Sequence, residues 1–136
     1  MFLLDTNVVS EPTKKQPSPK VLSWLAAQRA PTLFMSVVSL GELTRGLDKL
    51  PSGRRKQDLT KWINRLSLDE FAHGRMLSVD DAVALTWGRL DALAGRTLAV
   101  PDALIAATAL VHNLTIATRN QRDFAGLGVR VVNPWT

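Results

Sequence analysis

Apolar residues recur along this chain in two rhythms, short unbroken runs and longer stretches with intervals of three and four. Phe2-Leu3-Leu4 has no polar face, which suits a central strand covered on both sides, and it ends at Asp5-Thr6-Asn7. Ser18 as N-cap and Pro19 at the first helical position predict a helix to about Gln28, with Val21, Leu22, Trp24 and Leu25 facing inward. Leu33-Phe34-Met35 predicts a second strand. Leu40, Leu43, Leu47 and Leu50 then mark an amphipathic helix from Val37 to about Lys49, stopped by Pro51, with Glu42 at the border of its apolar stripe. A basic helix follows from about Arg54 to Leu66, with Leu59, Trp62, Ile63 and Leu66 on one side. Met76-Leu77 predicts a third strand and Asp80 to about Gly95 a long helix. Pro101 to His112, apolar almost all round, predicts a centrally packed helix. Thr115 to Ala117 and Val129 to Val132 are the last two strands. Glu11 to Ser18, which has no apolar anchor besides its prolines, is expected to be an exposed loop.

Short apolar strands alternating with helices predict a three-layer α/β/α sandwich around a central, mainly parallel sheet with right-handed crossovers. The length, 136 residues without a Pro/Gly/Ser-rich linker or a repeat, predicts one domain over residues 1–136. With no cysteine, disulfides, thiolate zinc sites and a cysteine nucleophile are excluded. The opening residues carry neither the charged nor the long apolar region of a secretion signal, and no run reaches the ~18 apolar residues of a membrane span. A cytoplasmic protein with no membrane partner is therefore expected. A net charge of +5 attracts polyanions such as nucleic acid. It is equally the ordinary surface balance of a small soluble domain.

The placement of the few acids changes that picture. Asp5 ends a buried strand, Glu42 borders an apolar helix stripe, and Asp102 follows Pro101 at a helix start. Each has an ordinary explanation: Asp5 capping the next turn, Glu42 pairing with Arg45, Asp102 answering the helix dipole. In a parallel sheet, however, the ligand site lies beyond the carboxyl ends of the strands, and this layout brings all three acids to that edge. Unpaired carboxylates crowded together raise one another's pKa values, and a cation resolves the repulsion. Hard oxygen ligands without Cys or clustered His select Mg²⁺, or Mn²⁺. A metal held by carboxylates and still carrying waters suits phosphodiester hydrolysis.

Four ordered motifs, LLDTNVVSE, SVVSLGELTRG, PDALIAATAL and IATRNQRDF with its GLGVRVVNPW tail, resemble those of PIN-domain ribonucleases, and among them VapC-type toxins of type II toxin-antitoxin modules. The resemblance spans the whole chain. It implies a Mg²⁺-dependent endoribonuclease with metal ligands Asp5, Glu42 and Asp102, neutralised by a cognate antitoxin, homodimeric and able to form a heterotetramer or larger assembly with that partner. By the same resemblance Thr6 and Thr118 fix a carboxylate or a bound water. The chain departs at the fourth acid: many relatives place an aspartate after Thr-Arg, where this chain has Asn120, with its next acid at Asp123. Either residue can complete the site, an amide by orienting water, or Asp123 by leaning in or else merely beginning a turn.

A single-stranded or loop RNA, with its splayed backbone, suits such a pocket better than a duplex. Arg45, Arg54, Arg55, Lys56 and Arg119 are candidate phosphate contacts, although a basic helix face is also simply solvated. Trp24, Trp62, Trp87 and Trp135 could each offer a stacking surface, but the first three fall on apolar helix faces and are expected in the core. His73 and His112 are too scattered for a paired-histidine mechanism, and serine-hydrolase, P-loop and zincin motifs are absent. Gly126-Leu127-Gly128 is too short for a dinucleotide loop. Two rivals stand beside the nuclease. An aspartyl-phosphate phosphatase also starts from a strand-ending Asp, but needs a second Asp where Asn7 stands. A non-catalytic RNA-binding or interaction protein of the same fold is motivated by Asn120.

Overall fold

The computed structural model describes all 136 residues. Five strands, β1 (Phe2–Leu4), β2 (Leu33–Ser36), β3 (Met76–Leu77), β4 (Thr115–Ala117) and β5 (Val131–Val132), form one sheet in the order β3-β2-β1-β4-β5. All pairings are parallel, with Leu3 opposite Phe34 on one side and Ile116 on the other. Between them run α1 (Thr6–Ser10), α2 (Pro19–Ala27), α3 (Val37–Asp48), α4 (Arg54–Arg65), α5 (Asp81–Leu93) and α6 (Val100–His112). The chain winds outward from β1 to β2 and β3, then returns to build β4 and β5 on the opposite flank. The order therefore reverses between β1 and β4, and this is where a parallel sheet leaves a crevice.

Alternation along β1 divides the core. Leu3 joins Ile105, Ala106, Ala109, Ile116 and Phe124 on the face covered by α5 and α6. Leu4 joins Val8, Val21, Met35, Leu66 and Phe71 on the other. The two faces of one strand thus feed two apolar layers, the physical content of a three-layer sandwich. α6 is the most deeply covered helix, with Ala103, Ile105, Ala106, Ala107, Thr108 and Ala109 all buried. Its alanines let it lie close to the sheet and to α5. Trp24 and Trp62 pack on the second layer and Trp87 on the first. Gly126 and Gly128, both left-handed, bracket buried Leu127 in the turn leading to β5. No helix is long and apolar enough to cross a membrane.

Leu22 on α2 is exposed rather than turned inward, and the last strand begins at Val131 rather than Val129. Two segments depart further from the sequence expectation. The chain after Asp5 is not a plain turn but one helical turn, α1, whose Val8 and Val9 are buried. The expected exposed loop begins with a 3₁₀ turn, Glu11–Thr13, in which Glu11 is only 3% exposed and its Oε1 lies 3.2 Å from Lys14 Nζ. Pairing explains how a carboxylate tolerates that burial; the alternation rule that classed the segment as solvated sees only apolar side chains. Pro12 to Gln16, apart from half-buried Thr13, are exposed as expected.

Candidate active site

β1 delivers Asp5 to the crevice, where its backbone N–H donates to the carbonyl of Ala117 at the end of β4 (2.9 Å). Its side chain is 6% exposed and takes three donors: the Thr6 N–H on Oδ1 (2.8 Å), and on Oδ2 the Thr118 hydroxyl (2.7 Å) and the Asn7 amide (3.2 Å). Burial raises the Asp5 pKa above the ordinary value, with Glu42 repelling in the same direction, while the Thr118, Thr6 and Asn7 donors oppose the rise. Asp5 does cap α1, as its ordinary explanation requires, but capping engages only Oδ1.

Glu42 reaches the crevice from α3. Its Oε1 accepts from the Thr6 hydroxyl (2.7 Å), which also lies 2.9 Å from the buried Ser39 Oγ. It forms no ion pair with Arg45; Glu11 with Lys14 is the one ion pair in the structure. One residue of α1 therefore serves both acids, its amide holding Asp5 and its hydroxyl holding Glu42.

Asp102 stands in the first turn of α6, whose N-cap is Ala99 with no side-chain cap bond. The dipole explanation gives it no partner of its own. Its pKa is pushed up to about 6, first by burial and then by repulsion from Asp123, Asp5 and Glu42. Four carboxylates from four segments thus share one field. They do not yet share an ion-sized cavity: no three His, Cys, Asp or Glu side chains are gathered closely enough to hold a metal. The expected convergence holds at the level of charge, while Asp5 and Glu42 turn toward the two threonine hydroxyls. As a donor set, oxygens only and strongly acidic, the residues suit a hard divalent ion; closing on it requires side-chain rotation.

The fourth position is a loop. Asn120 donates its backbone N–H to Thr118 Oγ1 (3.0 Å), and its carbonyl accepts from the Asp123 N–H (3.0 Å) at the start of a 3₁₀ turn, Gln121–Phe124. Both side chains are exposed, and it is Asp123 whose charge reaches Asp102 most strongly. Phe124, 1% exposed in the core, anchors the loop from beneath.

The candidate phosphate contacts scatter. Arg45, Arg54 and Arg119 are exposed. Arg55 shares a cleft of about 250 Å³ with Glu42, but its Nη1 donates to the carbonyl of Thr13 (3.0 Å). Half-buried Lys56 donates to the carbonyl of Leu50 (3.3 Å), so it ties down the turn before α4. Four residues take parts in the site that the sequence did not assign them. Asn7 bridges Asp5 Oδ2 and the Arg119 N–H, Ser39 backs Thr6, Trp135 lies under the Arg119 guanidinium, and Arg96 donates to the carbonyls of Asp123 (3.2 Å) and Ala125 (3.0 Å). Only Trp135 left any signal, as the tryptophan outside an apolar helix face.

Comparison with known proteins matches residues 2–129 to the PIN domain. Toxin FitB of Neisseria gonorrhoeae is 38% identical over 99% of this chain and 99% of its own. VapC ribonuclease Y4jK of Sinorhizobium fredii is 38% identical over 99% and 98%. Among solved structures, FitAB bound to an IR36 DNA fragment superposes with a TM-score of 0.91 at 36% identity, covering 100% of this chain and 96% of that one. A toxin-antitoxin complex from Klebsiella pneumoniae gives 0.73 at 27%, covering 98% of each chain.

Proposed function

The chain belongs to the PIN-domain family, among the toxins of VapBC and FitAB toxin-antitoxin systems, and on that premise we propose that it is a Mg²⁺-dependent endoribonuclease of single-stranded or loop RNA. All 136 residues are read as one such domain. The observation that carries the proposal is that Asp5 at the end of β1, Glu42 on α3, Asp102 at the start of α6 and Asp123 after β4 lie in one another's field, none of them in an ion pair, with the Asp102 pKa pushed up to about 6 by burial and by the other three. Asp5, Glu42 and Asp102 would hold Mg²⁺, or Mn²⁺ in its place. When bound, such an ion activates water and neutralises charge on the phosphodiester.

The chain's own residues supply the rest. Thr118 and Asn7 hold Asp5 Oδ2 at the crevice, and Thr6 holds Glu42 Oε1 there, so each ligand needs only to rotate away from its threonine to close on an ion. Asn120 orients water or a phosphate oxygen through its amide. Asp123, exposed beside Asp102, takes up the proton released by the attacking water. Asn7 speaks against the phosphatase reading: its amide is engaged with Asp5 and the Arg119 N–H, and it offers no second carboxylate.

The FitAB and toxin-antitoxin complexes support a cognate antitoxin as partner. With it goes the further proposal of a second copy of this chain, in a heterotetramer or larger assembly in the cytoplasm. The test is cleavage of single-stranded RNA in Mg²⁺. Wild type is expected to cut, and EDTA, Asp5→Ala and Asp102→Ala to abolish cutting. Hydrolysis of small phosphate esters instead, or RNA bound without scission, would overturn the proposal. In cells, expression of the chain alone should arrest growth and Glu42→Ala should not; equal toxicity would remove Glu42 from the site.

A further inference from the structure

Beside the acidic crevice, on its β5 side, lies a second depression of about 550 Å³ lined by Arg119, Asn120, Gln121, Arg122 and Asp123 and by no apolar residue. A hollow of that size and polarity admits a phosphate with its sugar. Neither Arg119 nor Arg122 forms an ion pair, even though Asp123 shares the wall. On α4, by contrast, Arg55 and Lys56 direct donors to backbone carbonyls.

Arg119 is also held in place. Its guanidinium carbon lies 5.4 Å from the centroid of the Trp135 ring, and that ring packs against the core layer containing Leu4 and Ala117. The backbone N–H of Trp135 donates to Asn133 Oδ1 (2.9 Å), and the backbone N–H of Arg119 to Asn7 Oδ1 (3.2 Å). A guanidinium stacked on an aromatic face keeps its donors at the edge of its plane, and its freedom is already reduced before any ligand arrives. Arg119 directly follows Thr118, whose hydroxyl holds Asp5. The depression therefore begins one residue from the threonine that holds a proposed metal ligand.

We infer that Arg119, seated on Trp135, and Arg122 form a subsite for the backbone phosphate of the nucleotide adjoining the scissile one in a single-stranded RNA. The inference rests on the nuclease reading for its substrate. It adds a direction: the bound strand leaves the acidic crevice toward the β5 edge. The fork of Arg119 takes the phosphate oxygens and Arg122 adds charge from the next turn, while Asp123 keeps a second phosphate from sliding into the metal site.

The test is fluorescence anisotropy of a short fluorescein-labelled single-stranded RNA with Ca²⁺ in place of Mg²⁺, over a series of salt concentrations, followed by steady-state cleavage in Mg²⁺. Arg119→Ala and Arg122→Ala are each expected to weaken binding several-fold and to lower the slope of log affinity against log salt by about 0.7, one single-strand phosphate contact apiece. In cleavage the loss should fall on KM rather than kcat. Arg119→Lys should recover the salt slope and only part of the affinity. Trp135→Leu should weaken binding in the wild-type background and add nothing to Arg119→Ala, the signature of a residue acting through another. Should Trp135→Leu fail to fold, exposed Arg122 still decides the matter. Wild-type affinity and slope in both arginine variants would overturn the subsite, as would a loss confined to kcat. Failure of wild type to cut RNA would instead strike the nuclease reading, because the Ca²⁺ binding measurement needs no cleavage.

Discussion

At the scale of single residues, Asp102 is a group through which pH acts on this protein. Its carboxyl titrates near 6 in the fold against 3.8 ordinarily, so its charged form is the one folding disfavours. The stability it contributes is full below about pH 4 and disappears as pH rises through about 6. In full linkage such a rise corresponds to about 3 kcal/mol. Asp102 is half-buried, and solvent screening reduces that to about 1 kcal/mol. Asp102→Asn should therefore stabilise the metal-free protein by about 1 kcal/mol at pH 8 and hardly at all at pH 4, read from urea midpoints in EDTA. An equal gain at both pH values would mean that repulsion is not the cause. Thr118 poses the complementary case. It is fully buried, donates to Asp5 and accepts from the Asn120 N–H. Thr118→Val keeps the shape and strands both partners, costing about 1–3 kcal/mol and most of the RNA cleavage. Thr118→Ser keeps the hydroxyl and should retain most of both, so thermal unfolding and cleavage of the pair separate the hydrogen bond from the packing.

At the scale of elements, the fold tolerates change according to which layer an element faces. α6 lies between the sheet and α5, and Ala106 on it is wholly buried. Ala106→Leu is expected to overpack that contact and cost about 1–3 kcal/mol, whereas Leu93→Ala, at a residue 85% exposed near the end of α5, should leave the calorimetric midpoint nearly unchanged. The same distinction separates what the sequence made legible from what it hid. Helices α2 to α6 carry their period for two turns or more, and the strands end where polar residues begin, so their order and the three-layer arrangement could be read directly. α1 could not. Five residues are too few for a period, and that turn exists because Asp5 caps it and the core takes Val8 and Val9. Asp5, Glu42 and Asp102 stood out as acids inside apolar segments. Asn7, Ser39 and Arg96 did not, because each takes its meaning from a partner distant in the sequence, and no local pattern encodes that.

At the scale of the whole molecule, two opposed charge distributions coexist. The chain as a whole carries +5 and draws polyanions, yet the crevice at the sheet's switch point gathers Asp5, Glu42, Asp102 and Asp123. A polyanion drawn in by the first is repelled by the second, and a divalent ion removes the conflict by neutralising the crevice. That ion would bind the folded state alone, because only folding brings the acids near one another. Its effect on stability follows mass action, about 2.7 kcal/mol when its concentration is a hundredfold above its dissociation constant. Mg²⁺ or Mn²⁺ should accordingly raise the thermal midpoint of wild type at pH 8 in proportion to the logarithm of its concentration. Asp5→Ala should abolish the rise. Protons compete with the ion for Asp102, so in wild type the rise should shrink as pH falls through about 6. Urea-independent side-chain closure would appear in the same titration as chemical-shift changes of the Asp5, Glu42 and Asp102 carboxyl carbons. A midpoint that ignores the ion at every pH, with those carbons unmoved, would mean that the four acids repel one another without any cation ever joining them, and the hydrolytic role would fall with the metal.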